Sequence, residues 1–215
     1  MNQQERAEEH LRTIRRLMER GTIYRAISAP TALVGGLVSI VAGALTYRLI
    51  DSIRFLQGGL FLPSFILIWL FVFLLTAGAN TLFIVLGARK RNEPVFSASM
   101  KAALTALAPP FIIAAILTLF FAATLDLMGE HAVSVTWAIC YGLGLLATSH
   151  FAPRSLTLLG WAFLASGIAA LLAIRFATSA LNQHMPTIFM MATFGLLHRI
   201  YAVCAWPRAG AAPEP

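Results

Sequence analysis

The sequence predicts an all-α, polytopic membrane protein, in which six transmembrane helices form a bundle and an amphipathic helix precedes them. Only 12% of the 215 residues are charged and 59% are hydrophobic, whereas about a quarter of the residues in soluble domains are charged. Residues 55–88 and 102–125 contain no charged side chain. Apolar runs of about 20 residues are long enough to cross a bilayer, so these stretches indicate membrane spans.

Six such windows follow one another along the chain, at about 30–50, 60–87, 102–125, 132–150, 155–175 and 185–206. None of them alternates polar and apolar residues as the strands of a membrane barrel do. Because lipid offers no hydrogen bonds to the backbone, each window is predicted to be a helix. Together they define a transmembrane domain, residues 29–206, followed by a tail, 207–215, that is expected to be disordered.

The distribution of Lys and Arg predicts the orientation of the spans. Of the 16 basic residues, only Arg48, Arg54 and Arg175 fall on one side of the predicted bundle, and the other 13 fall on the opposite side with both termini. The expected location is therefore a bacterial inner (plasma) membrane, crossed several times, with both termini in the cytoplasm. The formal charge of +7 is explained by this topology, and no nucleic-acid partner is expected.

The sequence predicts that residues 1–28 form a cytoplasmic amphipathic helix. Leu11, Ile14 and Met18 fall on one stripe, and Glu8 stands four residues before Arg12, a favourable spacing for an ion pair. The helix either lies on the membrane or the bundle, or it docks a cytosolic protein, and the sequence leaves both interpretations open. The side chains predicted to contact lipid or a partner are Arg12, Arg15, Arg16 and Arg20 in this helix and Arg89, Lys90 and Arg91 after the second span.

Small residues recur every four positions in two of the spans. They are Gly35, Ser39 and Gly43 in the first span, and Ala162, Ser166 and Ala170 in the fifth. Small side chains let helix backbones approach closely in a membrane, so both spans are expected at tight interfaces.

Several polar side chains interrupt the apolar spans. In the sixth span, "TFGLLHRIYAVCAW" places His198 beside Arg199, and Tyr201 shares a helix face with His198. Asn80 is expected at a similar depth in the second span, and His150 at the cytoplasmic end of the fourth. Arg199 could extend its long stem to the inner surface. This candidate polar cluster either lines a cavity that opens to the cytoplasm or joins helices to one another.

The sequence contains no pattern that predicts catalysis. None of the nine acidic residues lies at the centre of a span, where general acid–base work or a metal site beside a histidine would need one. The five histidines are scattered, and Cys140 and Cys204 follow no metal or redox spacing. We therefore expect no catalytic residues, no metal and no cofactor.

The stretch "EEHLRTIRRLMERGTIYRAISAPTALVGG" resembles the start of uncharacterised bacterial inner-membrane proteins that have a basic cytosolic helix and several spans. The resemblance implies the same location and organisation. It carries over no activity and no site residue.

Two functions from different classes fit these observations. The first is a non-catalytic regulatory or scaffold component, whose basic N-terminal helix contacts a cytosolic partner or anionic lipid of the bilayer. The second is a small permease or channel, acting as a homo-oligomer through its small-residue faces, with the candidate polar cluster as its site.

Overall fold

The computed structural model describes residues 8–12, 29–56, 62–91, 98–124, 129–150, 152–176 and 183–206, and these parts of the chain are almost entirely helical, with short turns at 148–150 and 183–184. The absence of strands from them confirms the all-α class. In chain order the long helices are α1 (Ala29–Leu56), α2 (Leu62–Arg91), α3 (Ala98–Thr124), α4 (Gly129–Ala147) and α5 (Arg154–Phe176). The C-terminal rod consists of α6 (Met185–Met190), a π-helical segment (Met191–Leu197) and α7 (His198–Cys204).

Five of these rods are long and apolar enough to cross a membrane. They contain the segments Ala29–Ser52, Leu62–Lys90, Met100–Ala123, Arg154–Phe176 and Met185–Cys204, of 20 to 29 residues. Their outer surfaces are apolar: Phe71 is 66% exposed and Leu119 is 71% exposed. Burying such side chains in hydrocarbon rather than leaving them in water is worth about 1.5–3 kcal/mol each, which supports a membrane protein.

The predicted span at 132–150 corresponds to α4, and it is not among these five. Eleven of the 19 residues of α4 are buried inside the protein, and they include Glu130 and His131 in its first turn. These two polar side chains lower the mean hydropathy of α4, and the fold buries them inside the protein. Helix length and hydropathy therefore identify five spans, one fewer than the six predicted from the sequence.

Glycine contacts set the spacing between the helices. A Cβ atom at Gly142 of α4 would lie 2.8 Å from the Gly160 carbonyl oxygen and from the Leu164 nitrogen of α5. A Cβ atom at Gly36 of α1 would lie 2.8 Å from the Gly195 carbonyl oxygen in the π-helical segment. In both places the backbones of two helices touch, as small residues allow.

The expected tight interface of α1 is confirmed, because Gly35 packs on Thr76 and Gly43 on Met191, while Ser39 is buried. The expected tight interface of the fifth span is also present, because Gly160 of α5 touches Gly142 of α4, but the small residues named for it do not form it. Ala162, Ser166 and Ala170 are only partly buried. The interface of α5 is instead formed by buried Leu156, Gly160, Phe163 and Gly167, which lie on a neighbouring face.

Most of the predicted amphipathic helix falls outside the described residues, which at that end are 8–12 only. Those five residues are helical and exposed, Arg12 among them. Arg15, Arg16, Arg20 and the tail 207–215 also lie outside the described residues.

Replacing Gly142 with alanine is expected to destabilise the bundle by about 1–3 kcal/mol, because the new Cβ must push two backbones apart. The matched control is Gly78→Ala in α2, where a Cβ atom would meet nothing within 4 Å. That change should leave stability unchanged or raise it by up to about 1 kcal/mol, since alanine favours the helix. Unfolding of both variants in mixed detergent micelles measures the difference. Equal stability of Gly142→Ala and the parent chain would contradict the close approach of α4 and α5.

Candidate functional site

The C-terminal rod changes its helical pitch shortly before the candidate polar residues. The π-helical segment Met191–Leu197 separates two α-helical pieces, and π-helical turns are frequent at functional sites. Pro186 lies at the start of the rod, where a residue without an N–H group is tolerated. The wider turn of the segment sets the direction in which His198 and Arg199, the first two residues of α7, leave the helix.

His198 points into the bundle and pairs with Tyr141 of α4. The Tyr141 hydroxyl and His198 Nε2 are 2.8 Å apart, a hydrogen-bonding distance. The two residues are 57 positions apart in sequence, so the bond ties α4 to the C-terminal rod. We call Tyr141 and His198 the central pair.

Three phenylalanines surround the central pair. Phe163 of α5 lies 4.7 Å from the Tyr141 ring and 5.3 Å from the His198 ring, between centroids. Phe194 lies 5.2 Å from Tyr141 and 4.9 Å from Phe163, and Phe111 of α3 meets Tyr141 edge-on at 6.5 Å. These are the separations of aromatic rings in contact, so the rings themselves fill the space beside the pair.

The second nitrogen of His198, Nδ1, is buried and has no hydrogen-bonding partner among the described residues. The backbone carbonyls of Phe194 and Thr193 lie near the ring, outside the geometry of a hydrogen bond to Nδ1. Both carbonyls can only accept a proton. This favours the tautomer that carries its proton on Nδ1, and in that tautomer Nε2 accepts a hydrogen bond from the Tyr141 hydroxyl.

Arg199 lies on a different surface from His198. It is exposed, and its Cγ and backbone nitrogen border the position of a Cβ at Gly36, at 2.8 and 3.3 Å. Consecutive residues of a helix point about 100° apart, so one can enter the bundle while the next faces outward. The structure therefore separates the two residues that the sequence placed side by side.

Of the other members of the candidate polar cluster, Tyr201 lies close enough to Tyr141 to interact with it electrostatically, whereas Asn80 and His150 form no hydrogen bond or ring contact with the central pair among the described residues. Tyr201 is buried in the same part of the bundle, packed with Ala32, Ala138 and Leu159. Asn80 is partly buried in α2, and its side-chain oxygen has no hydrogen-bond donor among the described residues. His150 is exposed in the turn after α4.

Three of the seven residues predicted to contact lipid or a partner lie at the end of α2. Arg89 and Lys90 are exposed there, and Arg91 is the last residue of that helix. Among the described residues no group of three or more His, Cys, Asp or Glu side chains could hold a metal ion. Cys140 is buried and Cys204 is exposed, and both are free thiols.

Tyr141 was missed because the span boundary was set too late. The sequence placed the start of the fourth span at residue 132, but α4 begins at Gly129. Tyr141 and His198 then lie about 12 and 13 residues from the starts of their rods, or about 18 and 20 Å along the axis. The two residues therefore lie at the same depth on rods that run in the same direction. This equal depth was the signal that could have identified Tyr141 as the partner of His198.

At the opposite end of the bundle, α1 is joined to the residues that begin the C-terminal rod. The Gln183 amide donates to Asp51 Oδ1 at 2.6 Å, and the rings of Tyr47 and His184 lie 4.4 Å apart. These contacts close that end of the α1 interface.

Comparison of the chain with models of protein families, with curated proteins and with solved structures finds no match in any of the three.

A double-mutant cycle on Tyr141→Phe and His198→Phe tests the central pair. Each single change removes the hydrogen bond and keeps an aromatic ring in place. The coupling free energy is expected between about 0.6 kcal/mol, the average measured for hydrogen bonds between membrane helices, and about 1.7 kcal/mol, the largest. Unfolding in mixed micelles gives the four stabilities. Tyr47→Phe, paired with the same histidine change, is the control and should give a coupling near zero. Additive effects of Tyr141→Phe and His198→Phe would show that the two residues do not interact.

Proposed function

We propose that the chain is a non-catalytic, integral protein of a bacterial inner membrane that serves as a regulatory or scaffold component. Both termini lie in the cytoplasm. The basic N-terminal helix, with Arg89, Lys90 and Arg91 beside it at the membrane surface, contacts a cytosolic partner or anionic lipid.

In this proposal α4 is a sixth span. Its contacts support that role, since Gly129 packs on Leu62 at the start of α2 and Gly144 packs on Leu107 and Phe111 of α3. A helix of 19 residues is about 28 Å long, close to the thickness of the hydrocarbon. With α4 crossing, the number of spans is even, and the amino and carboxyl ends share one side.

The observation that carries the proposal is the filling of the space around His198 by aromatic rings. A transport site needs polar groups that a solute can reach, whereas Tyr141, Phe163 and Phe194 pack directly on the imidazole. The central pair therefore works as a link between helices. The groups left to meet a partner are the cations at the helix ends, including exposed Arg89 and Lys90.

Replacing Arg12, Arg15, Arg16 and Arg20 with glutamine tests this function. Each Lys or Arg near an anionic surface contributes about 1 kcal/mol, so the fourfold change should remove most of the contact. The expected result is loss of the proteins or anionic lipids that cross-link to and copurify with the full chain, at unchanged membrane insertion. Mass spectrometry identifies both classes of molecule.

The control replaces Arg48 and Arg175, which the positive-inside pattern assigns to the opposite side, with glutamine. It should copurify with the same molecules as the parent chain. An identical set of proteins and lipids for the fourfold variant would count against the proposed role of the N-terminal helix.

One observation favours the second candidate, a small oligomeric permease or channel. The side-chain oxygen of Asn80 and Nδ1 of His198 are buried polar atoms without hydrogen-bonding partners among the described residues. Unpaired polar atoms inside a membrane protein are costly, and a passing solute or water molecule could satisfy them.

Arg199→Leu tests this alternative in proteoliposomes, with the influx of glycerol and of protons as probes. A permease that uses Arg199 should lose at least about tenfold of its flux, since removing a charged contact costs more than about 1.4 kcal/mol. The His198→Phe variant should behave in the same way. Parent proteoliposomes no faster than protein-free vesicles, or full flux in both variants, would reject the permease.

A further inference from the structure

An arginine lies among exposed aliphatic side chains on the outer surface of the C-terminal rod. Arg199 is exposed, and its neighbours on that surface, Leu196, Ile200 and Val203, are 52%, 50% and 73% exposed. The rod segment that contains all four residues, Met185–Cys204, is apolar enough to cross a membrane. A permanent cation is therefore placed where the surrounding side chains meet hydrocarbon.

Two glycines hold this part of the rod against α1. Gly195 packs on Ile40 of α1, and Gly36 of α1 packs on Arg199, whose Cγ would lie 2.8 Å from a Cβ at position 36. The position in α1 falls from 40 to 36 as the position in the rod rises from 195 to 199, so the two helices are antiparallel. The stem of Arg199 thus lies on the α1 backbone, in space that a larger residue at position 36 would fill.

Exposed leucines of α1 flank the arginine. At about 100° per residue, Leu33 and Leu37 lie on the outward side of Gly36, and they are 37% and 54% exposed. Ala32 and Ser39, on its inward side, are buried. The line where α1 meets the rod is therefore an apolar furrow on the outer surface. We call it the α1–rod seam, and its residues are Leu33, Gly36, Leu37, Leu196, Arg199 and Val203.

Arg199 lies within reach of the membrane surface at the carboxyl end of the rod. The rod ends at Cys204, five residues or about 7.5 Å beyond Arg199. Trp206, two residues further, is 51% exposed, and tryptophan is enriched where the hydrocarbon meets the headgroups. A long arginine stem can span much of this distance, so its guanidinium can meet the headgroup level from below.

The guanidinium of Arg199 forms no hydrogen bond and no ion pair with the described part of the chain, although it carries five N–H donors. In the described long helices and the rod the acidic residues are Asp51 and Glu130. Both lie at the opposite end of the bundle, and the same helices of a second copy would offer the same two. An arginine at membrane depth is costly without an anion, and the bilayer itself can supply one.

The chemistry of the seam matches a phospholipid of net negative charge. A phosphate accepts hydrogen bonds from the fork of a guanidinium, and an acyl chain matches the apolar walls of the seam. A soluble anion would use Arg199 and leave these walls without a role. The described seam holds no carboxylate that could pair with the positive group of a zwitterionic lipid, so an anionic headgroup is favoured.

We propose that the α1–rod seam binds one anionic phospholipid of the leaflet at the carboxyl end of the rod. Arg199 holds its phosphate, and an acyl chain lies along Leu37 and Leu196. In the orientation given under the proposed function this leaflet is the cytoplasmic one. The seam adds a lipid contact within the membrane, and it needs neither the N-terminal helix nor a path for a solute.

Native mass spectrometry of the full chain, with phosphatidylglycerol and phosphatidylcholine of identical acyl chains as probes, tests the site. The parent chain is expected to retain one phosphatidylglycerol in preference to phosphatidylcholine. Arg199→Met keeps an unbranched stem on Gly36 and removes the charge. It should lower the retention of phosphatidylglycerol roughly tenfold, as expected for the loss of a hydrogen-bonded charge.

The matched control is Arg154→Met, which removes an exposed cation at the same end of the bundle, since Leu156 packs with Tyr201 and Ala202 of the rod. This control should retain the lipid. A parent chain without preference for phosphatidylglycerol, or equal retention by the parent chain and Arg199→Met, would overturn the proposal. Melting temperatures in detergent show whether each variant is folded, and Arg199→Gln replaces Arg199→Met if that variant is not.

Three further arms identify the anion and the parts of the site. Excess inorganic phosphate should not displace the lipid, and full displacement would overturn the lipid assignment in favour of a free anion. Leu37→Trp fills the seam beside Arg199 and should weaken retention several-fold without a change of charge, whereas unchanged retention would overturn the placement of the acyl chain. If Arg199→Met keeps the lipid and loses a copurifying membrane protein, the anion is a group of that protein and the lipid assignment fails.

The fourfold N-terminal variant distinguishes this inference from the proposed function. It should keep the phospholipid of the seam while it loses the contacts of the N-terminal helix. If it loses this phospholipid and Arg199→Met keeps it, the seam proposal fails and the proposed function stands. The reverse result, with the other contacts of the N-terminal helix unchanged, supports the seam and rejects the proposed function.

Discussion

The close contact of helix backbones at glycine is the constraint on which this structure depends. Lipid tails are as apolar as the side chains they meet, so helices in a membrane gain little from hydrophobic burial against one another and associate mainly through packing and hydrogen bonds. Gly142 and Gly160 let α4 touch α5, and Gly36 and Gly195 let α1 touch the C-terminal rod. These contacts fix the level and rotation of each helix. The central pair follows from that register.

The long helices and their expected orientation could be predicted from the sequence, because both depend on hydropathy and charge summed over stretches of the chain. Runs of apolar residues gave the helices, and the side on which the cations fall gave an expected orientation. The start of α4 was harder to predict. Glu130 and His131 are polar residues that the fold buries, whereas hydropathy places such residues outside a span. The interface of α5 was predicted from small residues alone. Two faces of that helix carry such residues, and only the contact with α4 decides between them.

The candidate site was predicted in part, for a reason that lies in helix geometry. His198 was singled out as an unusual residue in an apolar helix, and the structure pairs it with Tyr141, whose position depends on the true start of α4. Arg199 was grouped with His198 because they are adjacent in sequence, although adjacent residues of a helix face different directions. His150 is also separate from the central pair, since it lies in the exposed turn beyond α4.

The π-helical segment makes the sensitivity of the last rod to its length uneven. A π-turn accommodates one more residue than an α-turn of the same height, and Met191–Leu197 lies directly before His198. A chain shortened by one residue within this segment would close an ordinary α-turn, and the side chains that follow would keep their directions. The same deletion in α6 would rotate every later side chain of the rod by about 100°, so that Arg199 would take the direction of His198 and bring a permanent charge among the aromatic rings. A single deletion is therefore expected to be tolerated in evolution within these seven residues and excluded from α6.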